Sequence, residues 1–337
     1  MVPQRIAVVG GGPAGSAAAI ACVRAGLTAV LFERRDGAQR RWPDGAEPEE
    51  SIAPDTVALL HTLGVDCASA SAVYGGIATG SHVTLFLRDA EVHGRHVRRS
   101  WFDGELRAMA ARSGVTCRPG VEVADIERED TGGFLLHTSE GSMGARQVID
   151  ASGRRSWLAV QLGLSQRRMS PPLIAWRDVV AGPPQPGSIA HFVPSPNGWT
   201  FLAPVSAGRI VRTGLRAARD KRDAAGPPPS RGATAHVATW RVVRHLAGPG
   251  WLIAGDAAAA LDPAAGMGIA FALKSGLAAG QTAAANAANS RSAPVLTARY
   301  DDALLSEFEM AAGLLAQRYR ELGICVLDKK PRELAPA

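Results

Sequence analysis

The hydrophobic pattern at the start of the chain predicts a strand, a helix and a second strand. Residues 5–9 and 28–32 are apolar runs of the length typical of buried strands, and the Ala-rich residues 16–25 between them predict a helix that Gly26 ends. Near the other end, the apolar residues 251–254 lead through a Gly-containing loop into a long run of small residues. Two such units indicate an α/β fold with a parallel sheet.

A different pattern fills the middle of the chain. Residues 121–126 and 134–138 alternate between apolar and polar positions around a Gly-Gly turn, which predicts a hairpin. Further strands, which together predict an antiparallel sheet, lie at residues 173–180, 188–193, 199–205 and 209–215. Apolar residues at spacings of three and four then predict a C-terminal helix: Leu296, Tyr300, Leu304, Phe308, Ala311, Leu315 and Tyr319.

The chain has 337 residues, more than a usual single domain, so we predict two domains that share one discontinuous chain. The larger, Rossmann-like α/β domain takes residues 1–75, 98–164 and 249–290. The smaller antiparallel domain takes residues 76–97 and 165–248, and residues 291–337 form a C-terminal helical segment. Within these domains, residues 34–50 and 221–232 are predicted to be loops.

A dinucleotide-binding motif joins the first strand to the first helix. Gly10, Gly12 and Gly15 form G-x-G-x-x-G, and Glu33 follows the second strand at once. In this motif the first glycine makes the tight turn, the second lets a pyrophosphate approach the backbone, and the third lets the helix pack on the strand. Glu33 can bind ribose hydroxyls and disfavours a 2′-phosphate, although Arg34 and Arg35 beside it weaken that argument.

The loop after residues 251–254 has glycines at 266 and 268, where a flat ligand could lie against the backbone. The first N–H groups of the following helix have no partner within that helix, so they suit a ligand that gains negative charge. Asp256 could accept a hydrogen bond from a sugar hydroxyl. Taken alone, this stretch is better interpreted as a Gly-rich loop that enters a core helix.

Composition and charge narrow the function classes. The chain is 46% hydrophobic and 20% charged, with a formal charge of +6. Its arginines are dispersed in pairs along the chain and no nucleic-acid motif accompanies them, so we predict no nucleic-acid partner. No apolar run of 18 residues occurs and the first strand starts almost at once, so we expect a cytoplasmic protein without a membrane span.

No metal site is predicted. The four cysteines, at positions 22, 67, 117 and 325, have no ligand spacing. His82, His93 and His96 match no standard metal motif either, and surface or core histidines are the simpler interpretation.

Two other candidate site features leave alternatives open. Arg99 precedes a predicted helix in which Ser100 can cap the N-terminus, and its guanidinium could reach phosphate or flavin or simply be exposed. Trp199 and Phe201 lie on the same side of a predicted strand, either at a cavity wall or in the core.

Three motifs in order resemble one superfamily: residues 10–33, Asp-Ala-Ser-Gly at 150–153, and Gly-Asp at 255–256 with residues 262–268. They are similar to the FAD-dependent monooxygenase, halogenase and geranylgeranyl-reductase superfamily with the p-hydroxybenzoate hydroxylase fold. The resemblance implies FAD bound by residues of the first and third regions, together with Arg34, Arg99, Val123 and Ile269. The residues of the two regions are Gly10, Gly12, Pro13, Ala14, Gly15, Glu33, Gly255, Asp256, Pro263, Gly266, Met267 and Gly268. It also implies that a substrate sheet faces the flavin, with Trp199 and Phe201 at the substrate cavity.

Departures from the superfamily restrict the reaction. Tryptophan halogenases carry an N-terminal lysine and a glutamate in the D-P-x-E-S-x-G stretch, but this chain has no lysine before Lys221 and has Ala265 at the glutamate position. Residues 50–51, Arg99 and the Asp262-Pro263 stretch more closely resemble halogenase-like flavoproteins that modify tryptophan in partner proteins during quinone-cofactor maturation.

The resemblance therefore implies an FAD-dependent monooxygenase that hydroxylates an electron-rich aromatic through a flavin C4a-hydroperoxide. A tryptophan in a partner protein or peptide is one such substrate. The partners implied are O2 and either a flavin reductase or NAD(P)H as electron source, since no second dinucleotide motif is present. An alkene or prenyl-chain reductase is the main alternative, and a halogenase or a non-catalytic flavoprotein is less favoured. No catalytic side chain is identified from the sequence.

Overall fold

A computed structural model of the protein describes residues 5–36, 47, 49–67, 72–80, 82–85, 94–130, 132–183, 189–206, 208–218, 229–230 and 232–328. The strands are β1 (Arg5–Val9), β2 (Thr28–Glu33), β3 (Glu49–Ile52), β4 (Ala72–Tyr74), β5 (Gly76–Thr79), β6 (His82–Leu85), β7 (Gly94–Arg98), β8 (Thr116–Pro119), β9 (Val123–Arg128), β10 (Phe134–Thr138), β11 (Gly141–Ala145), β12 (Gln147–Asp150), β13 (Gln166–Arg168), β14 (Leu173–Ala181), β15 (Ile189–Ser195), β16 (Gly198–Ser206), β17 (Arg209–Ala217), β18 (Thr234–Val237), β19 (Arg241–Val243), β20 (Ala247–Gly248), β21 (Trp251–Ile253) and β22 (Ala259–Ala260). The α-helices are α1 (Pro13–Arg24), α2 (Pro54–Leu63), α3 (Arg99–Arg112), α4 (Trp157–Gln161), α5 (Gly268–Ala288) and α6 (Ala293–Glu321).

A central sheet carries the first motif. Its strand order is β20-β21-β12-β1-β2-β8, and every pair is parallel except β20 with β21. Both faces of β1 and β2 are buried, as their nearly continuous apolar sequences predict. The carboxyl ends of parallel strands meet at one edge of the sheet, which is where ligands bind in such folds.

Helices α1 and α5 pack closely together beside this sheet. A Cβ atom added to Gly276 of α5 would lie 2.2 Å from the backbone oxygen of Ala14 in α1. Small residues at this crossing therefore let the two backbones approach. Most of α1 is buried, so this helix is covered by the sheet on one side and by α5 on the other.

The predicted hairpin is part of a small antiparallel sheet. Its order is β11-β10-β9, and the chain then returns through β12 to the central sheet. Strand β11 was not predicted, because its Gly-containing sequence lacks an apolar alternation. Two more small sheets have the orders β3-β7-β4 and β13-β19-β22.

A seven-stranded sheet forms the second large layer, in the order β18-β14-β17-β16-β15-β5-β6. Its pairs are antiparallel except β15 with β5. Buried side chains of this sheet, including Trp199 and Leu215, form one core cluster with Leu315 and Tyr319 of α6. The C-terminal helix is therefore anchored against this sheet.

Some local predictions differ from the structure. Residues 49 and 50, the last two of the predicted loop 34–50, belong to β3, which pairs with β7. Ser100 does not cap α3, because the helix begins at Arg99 and no side chain caps it. The predicted loop at 221–232 lies largely outside the described residues, and the proposed division into domains stays a prediction.

Among the helices that the structure describes, none combines the length and the apolarity needed to cross a bilayer.

Replacing Gly276 by Ala should destabilise the protein by ~1–3 kcal/mol, since the new methyl group overlaps the backbone of α1. The matched control is Gly313→Ala on the exposed face of α6, where an added Cβ meets nothing within 4 Å. That variant should gain up to ~1 kcal/mol from helix propensity. Urea unfolding of both variants would measure the two effects, and equal changes would contradict the close packing of α1 on α5.

Candidate functional site

A cavity of about 1170 Å³ lies between the central sheet and the seven-stranded sheet. Its walls are the turn after β1, the end of β2, the loop after β21, the start of α5 and one face of the seven-stranded sheet. The three predicted motifs therefore meet at one continuous cavity. Most of the predicted cofactor residues lie on its wall: Gly10, Gly12, Pro13, Ala14, Glu33, Arg34, Arg99, Val123, Asp256, Pro263, Gly266, Gly268 and Ile269.

The turn after β1 is built as a dinucleotide-binding turn. Gly10 has φ +109°, and a Cβ atom there would lie 2.2 Å from the Ala151 oxygen. A Cβ at Gly15 would lie 1.8 Å from the Gly10 oxygen, so Gly15 supports the turn from behind and does not line the cavity. Next to Gly12 there is open space, and the first turn of α1 begins there with Pro13. The open side of the turn is therefore the side that faces the cavity.

The Glu33 carboxylate is held in place by two backbone donors. Its Oε2 accepts a hydrogen bond from the Gly11 N–H at 2.9 Å, and its Oε1 accepts one from the Arg35 N–H at 3.0 Å. Arg107 donates to the Gly11 oxygen at 3.1 Å from the other side. A carboxylate has further lone pairs beyond these bonds, so it can still accept from ribose hydroxyls.

The loop after β21 is tied to its surroundings by Arg154, which the sequence analysis did not select as a site residue. Its Nε lies 3.2 Å from the Asp256 Oδ2, and its two terminal nitrogens donate to the oxygens of Val237 and Leu261 at 2.9 Å. Its position directly after the Asp-Ala-Ser-Gly motif is the signal that could have identified it. Gly255 is buried with φ +62° and supports this loop without lining the cavity.

The turn before α5 is capped by an aspartate and ends in a glycine. Asp262 caps a short 3-10 turn at residues 263–265 by accepting from the Ala264 N–H at 2.9 Å, and Gly266 has φ +64°. Met267 occupies the N-cap position of α5 but does not line the cavity, whereas Gly268 and Ile269 do. The unpaired N–H groups at the start of α5 therefore lie beside the cavity, where they favour negative charge.

Asp262 is the best-connected buried acid of this region, and it is 2% exposed. Trp240 donates its indole N–H to Oδ2 at 2.6 Å, and the Tyr319 hydroxyl donates to Oδ1 at 2.8 Å. Burial raises the pKa of this carboxyl from 3.8 to about 6, because these hydrogen bonds offset desolvation incompletely. Trp240 and Tyr319 come from distant parts of the chain, and their spacing in sequence carries no signal of this contact.

A charged cluster forms part of the cavity wall. Glu50 lies 2.9 Å from Arg177 and 3.7 Å from Arg99. Burial raises the pKa of the Glu50 carboxyl, but the two guanidinium groups outweigh burial and lower that pKa to about 2. Arg99 also pairs with Asp103 at 2.9 Å, and Arg177 donates to Thr213 at 3.1 Å. Arg99 thus lies on the cavity wall. Arg177 was missed because it lies in the middle of a strand.

The sheet contributes an aromatic wall. Trp199, Phe201 and Ala203 share the cavity side of β16, as strand alternation predicts. Trp199 is 1% exposed and donates its indole N–H to the Tyr319 hydroxyl at 2.6 Å, so it belongs to the core as well as to the wall. Phe201 is half-buried, and Phe192 from β15 packs against Trp199 at 5.4 Å between ring centroids.

These features fit a dinucleotide such as FAD, which carries a flat ring system. The turn at Gly10 is closed from behind and open at Gly12, an acid is fixed at the end of β2, and glycines border the start of α5. The described residues include no group of three or more His, Cys, Asp or Glu side chains that could hold a metal ion. The architecture and the site together define the class of a dinucleotide-dependent flavoprotein.

Comparison with known proteins agrees with this class. Residues 8–54 match the family model of the NAD(P)-binding Rossmann-like domain. Menaquinone reductase of Mycolicibacterium smegmatis is 29% identical over 311 residues, which cover 80% of this chain and 74% of that protein.

Solved structures show the same fold. The flavin-dependent halogenase CmlS aligns with a TM-score of 0.78 and 18% identity over 92% of this chain, which spans 63% of that chain. The peptidyl tryptophan dihydroxylase QhpG aligns with a TM-score of 0.72 and 20% identity, covering 99% of this chain and 80% of that chain. These matches confirm the predicted fold.

Protonation of Asp262 should couple stability to pH. Its pKa in the folded state lies above its ordinary value, so the folded state binds more protons between pH 3.8 and about 6, and stability falls as the pH rises through that window. The shift corresponds to ~3 kcal/mol. The free energy of unfolding, measured from pH 3.5 to 7, should therefore decline relative to an Asp262→Asn variant and then become level. Parallel profiles of the two proteins would contradict the assignment.

Trp199 and Phe201 should differ in their effect on stability. Trp199→Ala removes a buried ring and its bond to Tyr319, and should cost ~3–5 kcal/mol. Phe201→Ala removes a half-buried ring and should cost less than Trp199→Ala. Thermal melting of both variants would check this order, and a Phe201→Ala variant that melts earlier than Trp199→Ala would reverse the assignment.

Proposed function

We propose that this protein is an FAD-dependent monooxygenase that hydroxylates an electron-rich aromatic substrate. The observation that carries the proposal is the single cavity that runs from the dinucleotide turn, past the start of α5, to the aromatic wall of the seven-stranded sheet. A cofactor that spans the first two regions would leave its reactive end facing the third. Bound FAD would supply the oxygen chemistry, and the chain would supply binding, orientation and exclusion of water.

Each part of the cavity has a role in this proposal. Gly12 and the start of α1 would hold the pyrophosphate, Glu33 the ribose, and Asp256 the ribityl chain. The isoalloxazine ring would lie against residues 266–269, where the unpaired amides of α5 stabilise negative charge on the reduced ring. Arg34, Arg99 and Val123 complete the proposed wall around the cofactor.

The substrate would lie between the flavin and the seven-stranded sheet. Phe201 and Phe192 offer ring faces for stacking, and Arg177 with Thr213 offers polar groups at the edge of the same wall. Tryptophan in a partner protein or peptide is the substrate that we place first among electron-rich aromatics. It is supported by the fold shared with QhpG, a peptidyl tryptophan dihydroxylase. A cytoplasmic location, O2 as co-substrate, and NAD(P)H or a separate flavin reductase as electron source belong to the same proposal.

A reductase is the second candidate, and the similarity to menaquinone reductase favours it. In that case the same flavin site would deliver hydride to a carbon–carbon double bond, and O2 would not be needed. Halogenation is not proposed, because the chain lacks a lysine before Lys221 and has Ala265 on the cavity wall at the glutamate position of halogenases.

Isotope labelling separates the two candidates. FAD-loaded protein reduced with dithionite and exposed to ¹⁸O2 should transfer ¹⁸O to a tryptophan-containing peptide or to an indole or phenol in a test panel. Mass spectrometry would measure the product, with bromide present to show that no brominated product forms. A Phe201→Ala variant should release more hydrogen peroxide per product, because the aromatic wall no longer orients the ring.

The same panel includes a menaquinone and a prenylated alcohol under strictly anaerobic conditions. A product that gains two hydrogens without O2 would favour the reductase and contradict the monooxygenase. Enzyme-dependent bromination would contradict the argument from Lys221 and Ala265.

A further inference from the structure

A serine and a histidine are paired at the cavity wall, apart from the residues assigned above. Ser51 of β3 is opposite His96 of β7 in the small antiparallel sheet. The Ser51 Oγ lies 2.9 Å from the His96 Nδ1. Ser51 lines the cavity between Glu50 and Ile52, whereas His96 lies behind it and does not reach the cavity. The pair thus connects the cavity surface to a buried imidazole.

His96 is enclosed by protein. It is 3% exposed, and its ring packs against the Tyr74 ring with 5.0 Å between centroids. Burial lowers the pKa of His96 from 6.5 to about 4, so the ring is neutral near pH 7 and carries one proton on one of its two nitrogens. The Nε2 atom is buried and has no hydrogen-bond partner within the described part of the chain.

The position of this one proton decides what Ser51 can do. With the proton on Nε2, a buried N–H would lack an acceptor among the described residues, and the serine hydroxyl would donate to Nδ1. With the proton on Nδ1, the imidazole donates to the serine oxygen and leaves only an unpaired acceptor at Nε2. Buried N–H groups without acceptors are the rarer of the two defects, so the second arrangement is favoured.

We propose that His96 carries its proton on Nδ1 and donates a hydrogen bond from this N–H to the Ser51 oxygen, so that the Ser51 hydroxyl donates a hydrogen bond into the cavity. The occupant is a ligand with a hydrogen-bond acceptor beside Ser51, either a carbonyl oxygen or a ring nitrogen. Bound flavin and bound substrate both offer such atoms. Ser51 is then a binding residue and His96 a positioning residue. The presence of a ligand beside Ser51 rests on the proposed function, whereas the position of the His96 proton does not depend on that function.

The surroundings of Ser51 support a donor role. The preceding residue, Glu50, already forms ion pairs with Arg177 and Arg99. The charged groups in this part of the wall are therefore paired with one another, and the hydroxyl of Ser51 remains as a neutral donor. A neutral donor suits an uncharged carbonyl or a ring nitrogen better than a guanidinium that already binds a carboxylate.

The proton position can be measured directly by ¹⁵N NMR of histidine-labelled protein at pH 7, with His96→Gln used to assign the signals. The expected result is a protonated Nδ1 and an unprotonated Nε2 for His96. A protonated Nε2 would overturn the proposal. The measurement needs no cofactor, no substrate and no active enzyme.

The ligand is tested with Ser51→Ala. FAD is the first probe, and its Kd and absorption spectrum are measured in wild type and variant. If the acceptor belongs to the flavin, the variant should bind FAD roughly 5- to 10-fold more weakly, with a shifted spectrum. If it belongs to the substrate, FAD binding stays unchanged and KM for the substrate rises by the same factor. Ser51→Thr, which keeps a hydroxyl, should restore most of either loss.

Ser142→Ala is the matched control. Ser142 also pairs with a histidine Nδ1, that of His137, at 2.9 Å, but it is exposed on β11 and lies outside the cavity wall. This variant should match wild type in both assays. A Ser51→Ala variant that matches wild type in FAD binding and in turnover would overturn the inference, whereas wild-type protein that binds no FAD would instead contradict the proposed function.

Discussion

One buried carboxylate joins the parts of this molecule that form the cavity. Asp262 accepts hydrogen bonds from Trp240, from the Tyr319 hydroxyl and from the turn that it caps before α5. Tyr319 in turn accepts from Trp199, so the aromatic wall of the sheet and the C-terminal helix depend on the same contact. These donors come from different elements of the fold. A buried charge or donor that is left unpaired costs free energy, so each element must hold its donor in place. The relative position of sheet, helix and loop is thereby constrained at one point.

Sequence reasoning was most successful where the chemistry is local. Periodicity predicted β1, α1, β2, the hairpin of β9 and β10, the four long strands of the second sheet, and α6, because each element carries its own apolar pattern. It failed for β3 and β11, whose residues are polar or small and whose pairing depends on partners distant in sequence. Thirteen of the sixteen cofactor candidates lie on the wall of one cavity, all except Gly15, Gly255 and Met267, which line no part of it.

The contacts that sequence reasoning missed are electrostatic and long-range. Arg177 lies in the middle of β14, yet it pairs with Glu50, which is 127 residues away in sequence. Tyr319 has the spacing of an ordinary apolar helix position, although its hydroxyl is the part that matters for Asp262. A pattern of hydrophobic residues describes which face of an element is buried, but it contains no information on which polar atom of another element will meet it there.

The packing of α1 against α5 delays the completion of folding during synthesis. About 250 residues separate the two helices, and at ordinary translation rates the ribosome needs roughly 12–50 s to make that length. During this interval the Ala-rich helix has one surface without its final cover, and the central sheet lacks β12 and β21 for much of the same time. The N-terminal third therefore cannot complete its packing until the last quarter of the chain has been made. Contacts so distant in sequence slow folding and expose newly made protein to aggregation, which makes chaperone supply a practical variable in producing this protein.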